Sequence, residues 1–153
     1  MYKSTHMTMQ LLVDADACPV KDEAVRVAGR YQRKVIFVSN QGIRPNPAPN
    51  VSYIVVGAQF DAADDWIVEH ANPGDIVVTA DIQLAGRCLA KGCMALNPAG
   101  HVFTQKNIGS ALSMRALSAH LRETGESKGH NPSFSKKDRS EFLQSLDRLM
   151  QKA

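Results

Sequence analysis

Apolar residues along this chain fall into short unbroken runs, separated by stretches in which they recur every three or four positions. The runs are Gln10–Val13, Val35–Val38, Val51–Val56, Ile76–Thr79 and Cys93–Leu96. Runs of this length, without polar alternation, read as strands covered on both faces. Between the first two, Val20, Ala24, Val27 and Ala28 keep helical spacing; Pro19 suits the first turn of that helix and Gly29 closes it. Asp61–Ala71 reads as a second helix, stopped by Asn72-Pro73-Gly74. Asp81 opens a third, which carries Ile82, Leu84, Ala85, Cys88 and Leu89 as far as Lys91-Gly92. Alternation of this kind predicts a doubly wound α/β domain: a mainly parallel five-stranded sheet with helices on both faces, joined by right-handed crossovers.

The tail has a different texture. Thr104–Arg122 reads as a helix with Met114 and several leucines on its packing face, and residues 123–135 as a polar loop rich in Gly and Ser. Ser135 is placed to cap a last helix, Lys136 to about Met150, with Phe142, Leu146 and Leu149 on one side. Ser39-Asn40-Gln41-Gly42 marks a turn, and RPNPAPN (44–50) a stiff exposed loop. No repeat or long linker divides the chain. The expected organisation is a disordered lead over residues 1–8, with Met7 or Met9 as alternative starts, then one α/β domain with C-terminal helices over 9–153.

Composition narrows the class. The chain has 153 residues, 44% of them hydrophobic, enough for one substantial core. A net charge of +3 is compatible with phosphate-bearing partners without demanding them. Cys18, Cys88 and Cys93 are odd in number and form no CxxC pair, which argues against a disulfide framework or zinc knuckle and for a reducing cytoplasm. No apolar run approaches the roughly 18 residues of a membrane span, and MYKSTHMTM holds no signal-peptide core. A cytoplasmic protein with no membrane partner is therefore expected.

Candidate chemistry centres on LLVDADACPV (11–20). In an open parallel sheet, ligands bind beyond the carboxyl ends of the strands, near the point where strand order reverses. Asp14 and Asp16 follow the first strand; Asp61, Asp64 and Asp65 follow the third; Asp81 follows the fourth. All six belong to one edge of the predicted sheet. Carboxylates converging there repel by about 4 kcal/mol per pair at 4 Å near a surface. A hard divalent cation relieves this, and all-oxygen donors suit Mg2+ or Mn2+ better than zinc. Against this, Asp61 and Asp81 also read as plain helix caps, and Asp65 is the least favoured ligand. Cys18 reads as a small apolar filler, Trp66 as core, and the histidines show no ligand spacing. Aromatic residues are 6% of the chain and offer no base-stacking strand.

The stretches VDADACPVKDE (13–23), VSNQ (38–41), FDAADDWI (60–67), GDIVVTADIQLAGRCLAKG (74–92), ALNPAG (95–100) and SKKDR (135–139) resemble the YaiI/YqxD family, an uncharacterised bacterial family allied to PIN-like nucleases. The resemblance spans nearly all of the chain after Met9 and implies a PIN-like fold. Asp14 matches the first-strand metal aspartate of PIN-like domains and Asp81 the one after the fourth strand. Asp61 and Asp64 stand where such domains carry a middle acidic residue, and Asp16 belongs to the YaiI/YqxD pattern. The function implied is a metal-dependent nuclease, acting on RNA rather than DNA, with single-stranded RNA as partner. Asp14, Asp16 and Asp81 are its catalytic candidates, and Asp14, Asp16, Asp61, Asp64 and Asp81 its ligands for Mg2+ or Mn2+. Lys21, Arg44, Arg87, Arg115, Lys136, Lys137 and Arg139 are the candidates for nucleic-acid contact; a solvated charge run is the plainer reading of 136–139. PIN-like domains frequently pair, which leaves a homodimer open beside a monomer.

Two other functions fit the same residues. One is a non-catalytic RNA- or nucleotide-binding module that keeps the acidic edge. The other is a haloacid-dehalogenase-type phosphatase, in which Asp14 is the nucleophile and Asp16 the acid/base. That chemistry wants Thr or Ser where this chain has Cys18, and a lysine that nothing between Asp64 and Asp81 supplies.

Overall fold

The computed structural model describes residues 9–16, 18–42, 46–57, 59, 61–109 and 134–152. Its elements in chain order are β1 (Gln10–Asp14), α1 (Lys21–Arg30), β2 (Lys34–Ser39), β3 (Val51–Val55), α2 (Ala62–His70), β4 (Ile76–Val78), α3 (Ile82–Ala90), β5 (Met94–Leu96), β6 (Val102–Phe103) and α4 (Lys136–Lys152). The strands form one sheet in the order β3-β2-β1-β4-β5-β6. Every pairing is parallel except β5 with β6. The architecture is α/β with helices on both faces, consistent with a PIN-like fold.

The expected five-stranded sheet has a sixth strand. After β5 the chain turns back on itself: Asn97 Oδ1 accepts the amides of Ala99 and His101 at 2.9 and 3.0 Å. Gly100 then takes a left-handed φ of 93°, hard against the backbone of Glu141, where a Cβ would lie 2.6 Å from a carbonyl carbon. Two residues of strand are too few to show any periodicity, which is why Val102–Phe103 carries no signal in the sequence. Two helix starts also shift. Pro19 lies in a turn ahead of α1, and Asp61 precedes α2 with a left-handed φ of 66° and makes no side-chain cap bond. The expected helix over 104–122 is described only at 105–109; the remainder lies outside the described residues.

Alternation along β1 sorts the two halves of the core. Leu11 and Val13 pack with α1 and α4, in a cluster containing Ala24, Val27, Phe142, Leu146 and Met150. Leu12 faces the other way, among Ala63, Ile67, Leu84 and Cys88 of α2 and α3. By the same period of two, Asp14 falls on the Leu12 side, beneath α2 and α3. Phe142, Leu146 and Leu149 are all buried, as their spacing predicts. Ser135 caps α4 reciprocally: its hydroxyl accepts the Asp138 amide at 3.1 Å, and Asp138 accepts the Ser135 amide at 3.0 Å. Among the described residues, no helix is long and apolar enough to cross a membrane.

At the amino edge of the sheet a buried carboxylate ties β1 to the entry of β4. Asp75, only 3% exposed, accepts the Gln10 amide at 3.1 Å, the Gln10 side-chain amide at 3.3 Å and the Asn72 amide at 2.8 Å. Asp75→Ala removes the acceptor that these three donors share. It should lower unfolding stability by about 3 kcal/mol, read as a fall in the urea midpoint at constant m-value. Asp65→Ala breaks only an exposed pair with Arg87 (3.1 Å) and should stay within about 1 kcal/mol.

Candidate acidic site at the sheet switch point

Strand order places the switch point between β1 and β4, because the chain runs outward through β2 and β3 before returning to β4. Val13 pairs with Val78 in register, so the next step along each strand sets Asp14 beside Thr79. The Thr79 side chain is 1% exposed, and its hydroxyl donates to Asp14 Oδ2 at 2.8 Å. Thr79 Oγ1 also accepts the Asp81 amide at 2.9 Å, leaving Asp14 as the partner for its proton. A single buried hydroxyl thus links the two principal acidic candidates. Nothing in the sequence gives Thr79 a role; the β1–β4 register reveals one.

Asp81 is a true helix cap. Its Oδ1 accepts the amides of Gln83 and Leu84 at 2.9 and 3.2 Å. Capping does not remove it from the acidic group, for its charge is felt at both Asp14 and Asp64. Burial pushes the Asp14 carboxyl above its usual range; the Thr79 hydroxyl offsets part of this, and repulsion from Asp16 and Asp81 adds to it. Asp64 is pushed up to about 6, first by burial and then by Asp81, Asp14 and Asp61, with Arg87 acting the other way. Residues from three strand-to-helix connections therefore meet electrostatically at one edge.

The other acidic candidates are held differently. Asp16 turns to the end of β2, where its two oxygens accept the Ser39 hydroxyl at 2.7 Å and the Asn40 amide at 3.0 Å. Ser39, buried at 1% exposure, carries no signal of this in the sequence. Asn40 also donates its side-chain amide to the Gly57 carbonyl at 3.1 Å, so the turn reading of Asn40 holds. Asp61 is exposed at the start of α2, and Asp65 turns to Arg87.

The basic candidates divide in the same way. Lys21 Nζ donates to the Cys18 carbonyl at 3.0 Å. Arg139 donates to the Pro19 carbonyl at 2.7 Å and to Glu23 at 3.1 Å, with its guanidinium 5.1 Å from the Phe134 ring centre. Both clasp the loop that follows Asp16. Lys136 and Lys137 are exposed in the first turn of α4, one turn from that clasp and therefore at the same edge. Arg44 and Arg115 lie outside the described residues. Cys18 is buried and its thiol is pushed up by burial, which suits a filler and not a nucleophile. Trp66 is half-buried against the α2–α3 core and stacks on His70 at 3.8 Å between ring centres.

A divalent cation was expected here. Among the described residues, no three His, Cys, Asp or Glu side chains stand close enough together to hold a metal ion. A closed protein cage is thus absent among those residues. Magnesium, however, keeps most of its waters and takes only one or two carboxylates. Asp14, Asp64 and Asp81 offer oxygen donors only, and their mutual repulsion is what a cation would neutralise. In donor type and charge they fit a largely hydrated ion.

The raised Asp64 carboxyl fixes a sign for stability. A group whose folded pKa exceeds its unfolded value stabilises the fold while protonated, and that contribution is lost as pH rises through the folded value, here about 6. In metal-free buffer, Asp64→Asn should therefore raise the melting temperature relative to wild type at pH 7–8. The difference should vanish by about pH 4, where the unfolded carboxyl also protonates. A variant no more stable than wild type at pH 8 would contradict the electrostatics described.

Comparison with known proteins adds kinship. The family model described as "Uncharacterized BCR, YaiI/YqxD family" matches residues 12–152. A UPF0178 protein of Agrobacterium fabrum is 59% identical over 140 residues, covering 92% of each chain. One from Rhizobium etli is 57% identical over 143 residues, covering 94% of this chain and 92% of the relative. One from Caulobacter vibrioides is 51% identical over 147 residues, covering 96% of each. No solved structure matches significantly. With a match of this extent, and relatives aligned nearly end to end, the chain belongs to the YaiI/YqxD family.

Proposed function

We propose that the protein is a divalent-cation-dependent hydrolase of phosphodiester bonds, with single-stranded RNA as its substrate class. The observation that carries this reading is that the Thr79 hydroxyl joins Asp14 to the Asp81 amide at the switch point, with Asp64 near enough to feel both charges. Open α/β sheets bind their ligands at such a point. A fold consistent with PIN-like domains supplies the nuclease expectation by analogy.

Asp14 and Asp81 would hold a largely hydrated Mg2+ or Mn2+, with Asp64, Asp16 and Asp61 at their flanks. When bound, the cation supplies Lewis acidity toward a phosphodiester oxygen and lowers the pKa of a water. The protein's own groups do the positioning. Thr79 orients the Asp14 carboxylate through the bond to Oδ2, and the first turn of α3 anchors Asp81 through Oδ1. Asp64, near 6, is the carboxylate suited to exchanging a proton close to neutral pH. Exposed Lys136 and Lys137 at the same edge would attract the phosphate backbone, while Arg139 serves the loop beneath them.

The phosphatase alternative loses support from Asp16. An acid/base needs an oxygen directed at the leaving group, and both oxygens of Asp16 accept bonds from the end of β2. A binding module without turnover is the reading that the decisive assay separates from hydrolysis.

That assay follows cleavage of single-stranded RNA in Mn2+, with EDTA as control. Asp14→Asn should lower the rate at least about a hundredfold, and Thr79→Val, which removes only the orienting hydroxyl, about tenfold. Each of Lys136→Ala and Lys137→Ala should weaken RNA binding and reduce the salt slope by about one. RNA bound but uncut by wild type in Mn2+ would replace the hydrolase with the binding module; neither binding nor cleavage would overturn both.

A further inference from the structure

A cleft of about 280 Å³ opens immediately beside the acidic site, on the β5–β6 side of Asp81. Both residues flanking that aspartate, Ala80 and Ile82, form part of its wall; Asn97, His101, Val102 and Asn107 form much of the rest. Its chemistry is unlike that of the edge next to it. Among the described residues, no carboxylate, lysine or arginine lines it. Apolar surface comes from Ile82, Val102 and the buried Phe103, and polar groups come from two carboxamides and an imidazole.

These polar groups are held in place before any ligand arrives. Asn97 Oδ1 is taken by the amides of Ala99 and His101, which fixes the orientation of its carboxamide. The Asn97 NH2 group donates to no protein acceptor among the described residues. Asn107 is fixed likewise, accepting the Thr104 amide at 2.8 Å and donating to the Val102 carbonyl at 3.0 Å. His101 is exposed at the rim, with its backbone pinned by Asn97.

We infer that this cleft receives a nucleobase: that of the nucleotide whose phosphate lies at the Asp14–Asp81 edge. A lining of amides, an imidazole and apolar side chains suits an uncharged group. Apolar walls suit a flat ring. An oriented amide NH2 and an imidazole supply the edge bonding and stacking by which unpaired bases are bound. The substrate thus divides at Asp81, with charge on the acidic side and the base on the amide side. This assignment deepens the hydrolase reading and rests on it for the position of the phosphate.

The test uses adenosine, cytidine, guanosine and uridine, which carry no phosphate, in EDTA, with binding followed by amide chemical shifts. At least one nucleoside should shift the amides of Ile82, Asn97 and His101. Its affinity should fall about tenfold in His101→Ala, the loss expected when a stacking partner is removed. Ile82→Trp, which fills the cleft, should abolish the shifts; the exposed His101 provides a variant that does not disturb packing. Shifts confined to other regions, no shifts at all, or affinity unchanged in His101→Ala overturn the inference. Because neither metal nor turnover enters the measurement, RNA cleavage without nucleoside binding sinks this assignment alone, and nucleoside binding without RNA cleavage sinks the hydrolase alone.

Discussion

Direct pairing of β1 with β4 is the constraint on which the site depends. With Val13 opposite Val78, Asp14 must stand next to Thr79, and the following residues must begin α3 at Asp81. One buried hydroxyl then bonds both strand ends together, donating to Asp14 and accepting from the Asp81 amide. A shift of one residue in that register would turn Asp14 toward α1 and α4, where Leu11 and Val13 make the core, and disperse the acidic group. Asp75 guards the same register from the opposite edge by binding Gln10 at the start of β1.

The acidic edge is kept at a cost to the fold. Asp14 and Asp64 both hold protons more tightly than free carboxyls do, because burial and their neighbours disfavour the second and third negative charges. Nearby pairs show the contrast: Asp65 has Arg87, Glu23 has Arg139 and Asp147 has Arg30, each within 3.4 Å. Asp14 instead accepts a bond from the neutral Thr79 hydroxyl, which orients its carboxylate.

Much of this was legible before any coordinates. Asp14 and Asp81 stand out because each follows an apolar run, and in a parallel sheet strand ends on one side share an edge. Ser135 announces its cap through Asp138 three residues on. Asp16 and Arg139 were not legible. An aspartate two residues from Asp14 looks like its partner, yet the turn after β1 sends it to Ser39 and Asn40. An arginine in a basic run looks available to phosphate, yet α4 lays it on the Pro19 carbonyl and Glu23. Each outcome depends on residues more than 20 positions away, which no local pattern encodes.

By itself, then, the sequence determined the alternation of strand and helix, the sheet's parallel character and the edge on which the aspartates lie, because these follow from hydrophobic period and chain direction. Tertiary structure decided which of the aspartates face one another and which are tied off, that Thr79 joins two of them, and that a cleft with amide and apolar lining adjoins Asp81. It also added β6, whose two residues are too short to have a period. Strand order and register are set by long-range packing, and a side chain's partner is settled only when two distant segments have met.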